Sequence, residues 1–340
     1  MIRLSRLDVL PAAFAKFLRL PVFFNPIWVV SLLKVIKAER INVLHVHDLP
    51  LAPLATLIGK LLSIPVIYDM HENYPAAMTV WAQRLSWFQR AVKNPKIAVL
   101  LNRFVLKYAD RVIVVVEEQR DNLINSGITG SKIFLVGNTV DIDEFLDLPV
   151  DQEIQRRYSR YFVILYVGSF AIDRGLETAI NAMKYVLKDI SNARLMLVGS
   201  GKNFADLQKL SNEEGMNDAV EFVGWVPFSK VASYMAASSI CIIPQPSNAA
   251  NDSTIPHKLF QYMLLEKPVL VSDAAPLKRI VNECRCGEVF RSNDPKDFAR
   301  AVVLTAKSSV AYGANGRKCV FENYNWAQTS RSLIELYHSL

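Results

Sequence analysis

The stretch Ile255–Asp273, "IPHKLFQYMLLEKPVLVSD", passes from a short helix into a buried strand. Leu259, Phe260, Met263 and Leu264 recur at helical spacing and form an apolar stripe, while His257, Lys258 and Gln261 form a polar one. Pro256 is expected in the first helical turn, where its missing N–H costs nothing. Pro268 stops the helix, and Val269, Leu270 and Val271 read as a strand. The anomaly is Lys258. It adds a positive charge to the positive end of a helix, where acidic groups are the stable choice. A lysine extending into water is one reading. A docked anion, such as a diphosphate, is the other, and the polar face shared with His257 and Gln261 favours it.

Outward from this stretch, apolar runs of strand length alternate with helical patterns. The strands are expected at 43–47, 65–69, 112–116 and 133–136, then, after a polar break near 148–158, at 162–167, 194–198, 221–223, 240–243, 269–272 and 287–290. Strands that are apolar on both faces and separated by helices predict parallel sheets covered on both sides. The pattern implies an α/β fold with two Rossmann-like domains facing across a cleft, the first over 1–152 and the second over 153–324. Ligands of such sheets bind beyond the carboxyl ends of the strands. Those ends place His47–Asp48, Asp69–Glu72, Glu117, Gly168–Ser169, Gly199–Gly201, Gly224–Trp225, Pro244 and Asp273 where chemistry is expected.

At 340 residues and 51% hydrophobic, the chain has ample material for two cores. Its four cysteines include no C-x-x-C pair, so neither a zinc site nor a disulfide framework is expected, and a reducing, cytoplasmic setting follows. Residues 1–40 carry a net charge of +5 and residues 41–120 a further +3, against +7 for the whole chain. Leu20–Leu33 is apolar but broken by Asn25 and Pro26, and too short to span a bilayer. In 81–111, Trp81, Trp87 and Phe88 alternate with Arg84, Arg90, Lys93 and Lys96. That composition suits an interfacial helix on an anionic membrane, or an ordinary helix with snorkelling cations. Both segments together favour the membrane surface, on the inner, cytoplasmic face. No signal peptide is read at the N-terminus. The basic region is rich in Trp and Leu and lacks a recognised nucleic-acid module, so no nucleic-acid partner is expected.

Four further motifs are candidates for chemistry. "YVGSFAIDRGLETAI" places Gly168 after a strand and Arg174–Gly175 before a helix, an arrangement that suits an anion or simply a tight turn. "LVGSGKNFADL" lacks the spacing of a phosphate-binding Walker loop. In "VIYDMHENYP", His71 follows a strand, and Pro75 stands where H-E-x-x-H would need its second histidine. A histidine there can hydrogen-bond a reacting group or a phosphate, although a lone histidine is more often structural. Asp141-x-Asp143 reads as loop and helix-cap chemistry.

Taken together, "INVLHVHDLPLAPLATLIGKLLSIPVIYDMHENYP", "ADRVIVVVEEQRDNL", "VGNTVDIDEF", "LYVGSFAIDRGLETAINAM", "RLMLVGSGKNFADLQKL", "EFVGWVPFSKVASYMAASSICIIP", the opening stretch and "YNWAQTSRSLIELY" occur in an order that resembles the GT-B-fold retaining glycosyltransferases of the broad group 1 family. The resemblance runs from about Asn42 to the C-terminus. It implies a nucleotide-diphosphate sugar bound mainly by the second domain. Gly168, Ser169 and Arg174 would lie along the diphosphate, and Lys258 would contact a phosphate. Gly224 and Val226 would flank the base, with Thr254 and Gln261 completing the donor site. His71 would be the catalytic-side residue, reaching toward the sugar. It further implies that 325–340 crosses back to the first domain, and that neither a metal nor a cofactor is needed. The sequence departs from the family pattern at three places. Ser169 replaces a frequent basic residue, and Ser253 and Gln261 replace paired glutamates.

The expected activity is sugar transfer with retention to a lipid-linked or polysaccharide acceptor, as in cell-surface glycan synthesis. A nucleotide-sugar epimerase of the same architecture, or a degenerate protein that binds donor or partner without turnover, are the alternatives. The opening "MIRLSRLDVLPAAFAKFLRLPVFF" lacks the strand–glycine turn that begins a Rossmann-like half, and the first glycine is Gly59. The first domain is therefore expected to be shortened, with four strands against six. A completing chain or a homo-oligomer is the partner this implies.

Overall fold

The computed structural model describes residues 26–81 and 94–340. They form two compact units. The first comprises residues to Val114 with Asn122–Phe134 and Leu336–Leu340, and the second comprises Val115–Asp121 and Leu135–Glu335.

The first unit holds a four-stranded sheet in the order β1 (Leu44–His47), β2 (Val66–Met70), β3 (Arg111–Val114), β4 (Ile133–Leu135). β1 pairs parallel with β2, and β2 with β3. Every residue of β2 is buried, as a central parallel strand requires. β1 alternates instead: Leu44 and Val46 enter the core, while His45 and His47 share the other face. Helix α1 (Ala52–Leu62) starts after Leu51 with Pro53 in its first turn and covers the sheet with Leu54, Ala55 and Ile58. Helix α2 (Pro95–Tyr108) is capped by the Asn94 side chain, which accepts from Lys96 N, and buries Ala98, Val105 and Leu106.

The second unit holds six strands in the order β10-β9-β8-β5-β6-β7, with β5 (Phe162–Val167), β6 (Ala193–Val198), β7 (Val220–Gly224), β8 (Ile240–Ile243), β9 (Val269–Ser272) and β10 (Gly287–Phe290). All five pairings are parallel. Alternation along β5 feeds two cores: Val163 and Leu165 enter one, Ile164 and Tyr166 the other. The chain winds outward from β5 first to β6 and β7 and then to β8, β9 and β10. The order therefore reverses between β5 and β8, the topological switch point of a doubly wound sheet.

Among the described residues the strands lie close to their expected positions, four in the first unit and six in the second. Two details differ. Pro256 lies outside the helix that it was expected to open, one residue before the N-cap His257. Cys284 and Cys319 form a disulfide across a sequence separation of 35, correcting the expectation of none; Cys241 and Cys286 are free and buried. No local motif announces the bond, because packing of α4 (Ala275–Cys284) against α5 (Ser309–Glu322) brings the two thiols together. The basic N-terminal segment before residue 26, with its expected lack of a strand–glycine turn, and Trp87, Phe88, Arg84, Arg90 and Lys93 lie outside the described residues. Among the described residues no helix is long and apolar enough to cross a membrane.

Candidate active site

In the second unit, the switch point gathers Gly168, Arg174 and Lys258, three of the residues expected on the donor side. β5 ends at Val167, and the Tyr262 hydroxyl accepts a hydrogen bond from Val167 N at 3.0 Å. This pins helix α3 (Lys258–Leu264) over the end of β5. Lys258 lies one turn before Tyr262, on the same face, and its Nζ sits 4.0 Å from the centre of the Tyr166 ring. The Tyr166 hydroxyl donates to Ser169 O at 2.9 Å and holds the turn in place. Gly168 has φ +144, and a Cβ built there would overlap Lys258 Nζ. Glycine is thus required both by the backbone and by the lysine.

Arg174 ends a short 3-10 turn, directly before Gly175 and the 14-residue helix Leu176–Asp189. Its guanidinium contacts Asp173 Oδ2 at 3.6 Å and donates to Gln245 Oε1 at 3.5 Å. A Cβ on Gly175 would collide with Pro244 O, so the turn packs directly on the segment that leaves β8. Lys258 differs from Arg174 in having no carboxylate within ion-pair distance among the described residues. Burial, with the nearby Arg174 charge adding to it, draws its pKa down to about 7. Gln245 is 2% exposed and its Nε2 has no hydrogen-bond partner. A buried donor without an acceptor is costly. Together these groups form an electropositive, donor-rich recess at the carboxyl ends of β5 and β8.

Ser169 contributes its carbonyl here, while Thr254 and Gln261 flank Lys258 and are half-buried. Gly224 ends β7 and Val226 follows it, two strands from β5, and Gly224 O accepts from Gly199 N at 2.8 Å. Among the described residues no hydrogen bond joins them to Lys258 or Arg174. A separate cavity of about 280 Å³ in this unit is lined by Val116, Leu135, Ile255, Phe260, Arg279 and Tyr324 among others, and contains none of the expected donor residues. Asp141 caps the helix Ile142–Leu146 by accepting from Glu144 N, as its motif predicted.

In the first unit His71 is not alone. It follows β2 directly, and its backbone N donates to Asp48 Oδ1 at 3.2 Å. Asp48 follows β1 in the left-handed region, φ 55, and burial pushes its carboxyl pKa up against the lowering effect of His71. In the parallel register His47 stands opposite Asp69. His45 and His47 on β1 and Asp69 on β2 therefore share a face with His71. Asp69 Oδ2 lies 3.2 Å from His45 Nε2, 3.0 Å from His47 Nδ1 and 3.3 Å from His71 Nε2. Burial opposes the Asp69 charge, but hydrogen bonds from His45 and His71 outweigh it and hold the carboxyl well below its usual range. Tyr337 OH completes the group, 2.7 Å from His45 Nδ1.

The sequence placed His47–Asp48 and Asp69–Glu72 at strand ends where chemistry is expected, but it did not mark His45, Tyr337 or the ring they complete. The H-x-H of "HVHD" was the available signal, since residues i and i+2 share one face of a strand. Gln245, Tyr166 and Tyr262 were also missed, because an amide or a tyrosine in an apolar run carries no mark of its role.

The profile of the family described as "Glycosyl transferases group 1" matches residues 149–318, and that of "Glycosyltransferase Family 4" matches residues 6–144. An uncharacterized glycosyltransferase of Methanocaldococcus jannaschii is 21% identical over 71% of this chain and 61% of its own length. The phosphatidyl-myo-inositol mannosyltransferase of Mycobacterium leprae is 22% identical over 88% of this chain and 74% of its own. Among solved structures, Anabaena HepE in complex with UDP superposes with a TM-score of 0.73 at 15% identity, covering 92% of this chain and 82% of that one. The likeness establishes a GT-B fold.

Proposed function

This chain belongs to the glycosyl transferases group 1 family, and we propose that it moves a sugar from a nucleotide-diphosphate sugar to a lipid-linked or polysaccharide acceptor with retention. One observation carries the reading: a lysine without a carboxylate partner stands against a glycine turn, beside Arg174 and a buried amide whose Nε2 has no hydrogen-bond partner, at the switch point of a six-stranded sheet. Such a recess is complementary to a diphosphate. The bound diphosphate would lie along Gly168 and Ser169, take its charge-assisted contacts from Arg174 and Lys258, and accept from Gln245 Nε2. As the sugar–phosphate bond breaks, negative charge grows on the leaving diphosphate. The two cations and the N-terminus of the helix Leu176–Asp189 stabilise it. No metal is assigned to this step, because the two side chains supply the cationic charge.

Gly224 and Val226 would flank the base, Thr254 and Gln261 would border the donor, and His71 would serve the sugar. UDP in the HepE complex supports a nucleotide donor, and the lipid named for the mycobacterial relative supports a lipid-linked acceptor. A peripheral position on the inner face of a membrane is part of the reading. On α2 the exposed stripe Lys96, Leu100, Arg103 and Lys107 combines cations with apolar surface.

Calorimetric titration with a panel of nucleotide sugars, followed by product analysis, tests the reading. Binding of one donor, with transfer and retained anomeric configuration, is expected. Lys258→Ala should weaken nucleoside diphosphate binding by about 1.5–3 kcal/mol and leave the bare nucleoside unaffected. Equal losses for both ligands would remove Lys258 from the diphosphate site. An epimerised donor would identify an epimerase, and binding without turnover a non-catalytic protein.

A further inference from the structure

We propose that His45, His47 and Asp69, with His71 at their side, form a binding site for a divalent transition metal of the zinc class in the first unit. The ligand atoms of His45, His47 and Asp69 all lie within 4.8 Å of one another. They come from adjacent parallel strands whose register sets His47 opposite Asp69. An N/O donor set of imidazoles and one carboxylate is the set zinc takes, with ligand bonds of about 2.0–2.2 Å that such a cluster closes by a small contraction.

The hydrogen-bond arithmetic of the cluster points to a cation. His47 Nδ1 stands 3.0 Å from both Asp69 Oδ2 and His71 Nε2, and His71 Nε2 stands 3.3 Å from the same oxygen. If His47 Nδ1 carries a proton and His71 Nε2 does not, the His71 lone pair faces the carboxylate. If the proton is on His71 Nε2, the His47 lone pair faces it. If both carry protons, both N–H groups donate to Oδ2, and the 3.0 Å contact between the two nitrogens is left without a hydrogen bond. No placement of protons satisfies all three contacts, whereas a metal ion takes every lone pair at once. Asp69 supplies a second observation. Its side chain is 9% exposed, and Oδ1 is buried with no hydrogen-bond partner. The Asp69 carboxylate, on whose Oδ2 the three imidazoles converge, supplies the negative charge that draws a cation.

The outer contacts also fit. With Nε2 of His45 on the metal, its proton resides on Nδ1, where Tyr337 OH at 2.7 Å accepts it. A partner that fixes the tautomer of a ligating histidine is usual around bound metals. Because the cluster includes His71, the metal occupies a side chain assigned above to the sugar, so the site is inhibitory to transfer when filled. Metal binding rests on the cluster geometry alone, and only its inhibitory consequence rests on the transfer reading.

The test titrates the metal-stripped full chain, without donor, with Co²⁺ as spectroscopic probe and Zn²⁺ as competitor. One equivalent of Co²⁺ is expected to bind, with visible ligand-field bands that Zn²⁺ abolishes. His47→Ala, at the most exposed of the strand ligands, should weaken binding by at least roughly 100-fold with circular dichroism unchanged, and Tyr337→Phe by roughly tenfold. Absence of Co²⁺ binding to the wild-type chain overturns the proposal. So does binding that persists undiminished in both His47→Ala and Asp69→Asn.

Discussion

Lys258 holds its ammonium in a place that costs free energy until an anion arrives. The cost has a definite pH window. Its pKa is depressed from 10.5 to about 7 by burial and Arg174. Below about 7 the folded chain carries the charge at full penalty. Between there and the unfolded value the folded form binds fewer protons than the unfolded one, so stability rises with pH. Lys258→Met is therefore expected to raise the melting temperature near about pH 6 and to lose that gain toward about pH 10. The same variant should bind nucleotide sugar poorly, and a melting temperature that is unchanged or lower at acid pH would count against a strained lysine. Donor binding follows the opposite trend. A nucleotide-sugar diphosphate keeps its charge throughout the neutral range, so its affinity for the wild-type chain should fall as pH rises through about 7, measured by calorimetry. A flat profile would show that the ammonium is not in contact. Gly168→Ala should be worse than either change, since φ +144 costs an L-residue about 1–3 kcal/mol and the new Cβ displaces the lysine.

Among the elements, the pair α4 and α5 is the one held covalently. The Cys284–Cys319 bond closes a loop with a sequence separation of 35 and joins Cα atoms 5.7 Å apart. Loop closure of that length restricts the unfolded chain by about 4 kcal/mol in the entropy account. Reduction, or Cys319→Ser, should therefore lower the melting temperature of the second unit by several degrees in calorimetry. Two reactive thiols at these positions in the native, unreduced protein would show that the bond is not formed. Helix α3 makes a different point. It has only seven residues, KLFQYML, yet five of them are buried. Its position comes from packing and from the Tyr262–Val167 hydrogen bond, because so short a helix has little stability of its own.

At the scale of the molecule, the two units differ in how much sheet each encloses. The second has six strands covered by apolar clusters on both faces, and the first has four among the described residues. Apolar burial per residue grows with sheet and core size. Amide exchange is accordingly expected to be faster in β1–β4 than in β5–β9, and equal protection would contradict the difference. Charge is also uneven, with +8 concentrated in residues 1–120. Flotation with anionic vesicles should be salt-sensitive and should weaken when Lys96, Arg103 and Lys107 are replaced by glutamate. Binding indifferent to both would rule out an electrostatic membrane face.

Strand positions, the two-part organisation and the glycine turn at Gly168 were legible in the amino-acid order, because period-two burial, helical spacing and turn chemistry act between residues near in the chain. Lys258 was legible too, as a charge at the wrong end of a helix. Other features depended on distance in sequence. Gln245 meets Arg174 across 71 positions, Tyr262 reaches Val167 across 95, and Tyr337 reaches His45 across 292. The disulfide and the ring of imidazoles around Asp69 are of the same kind. Helix packing and strand register decided them, since side chains that no local pattern relates become neighbours only when sheets assemble.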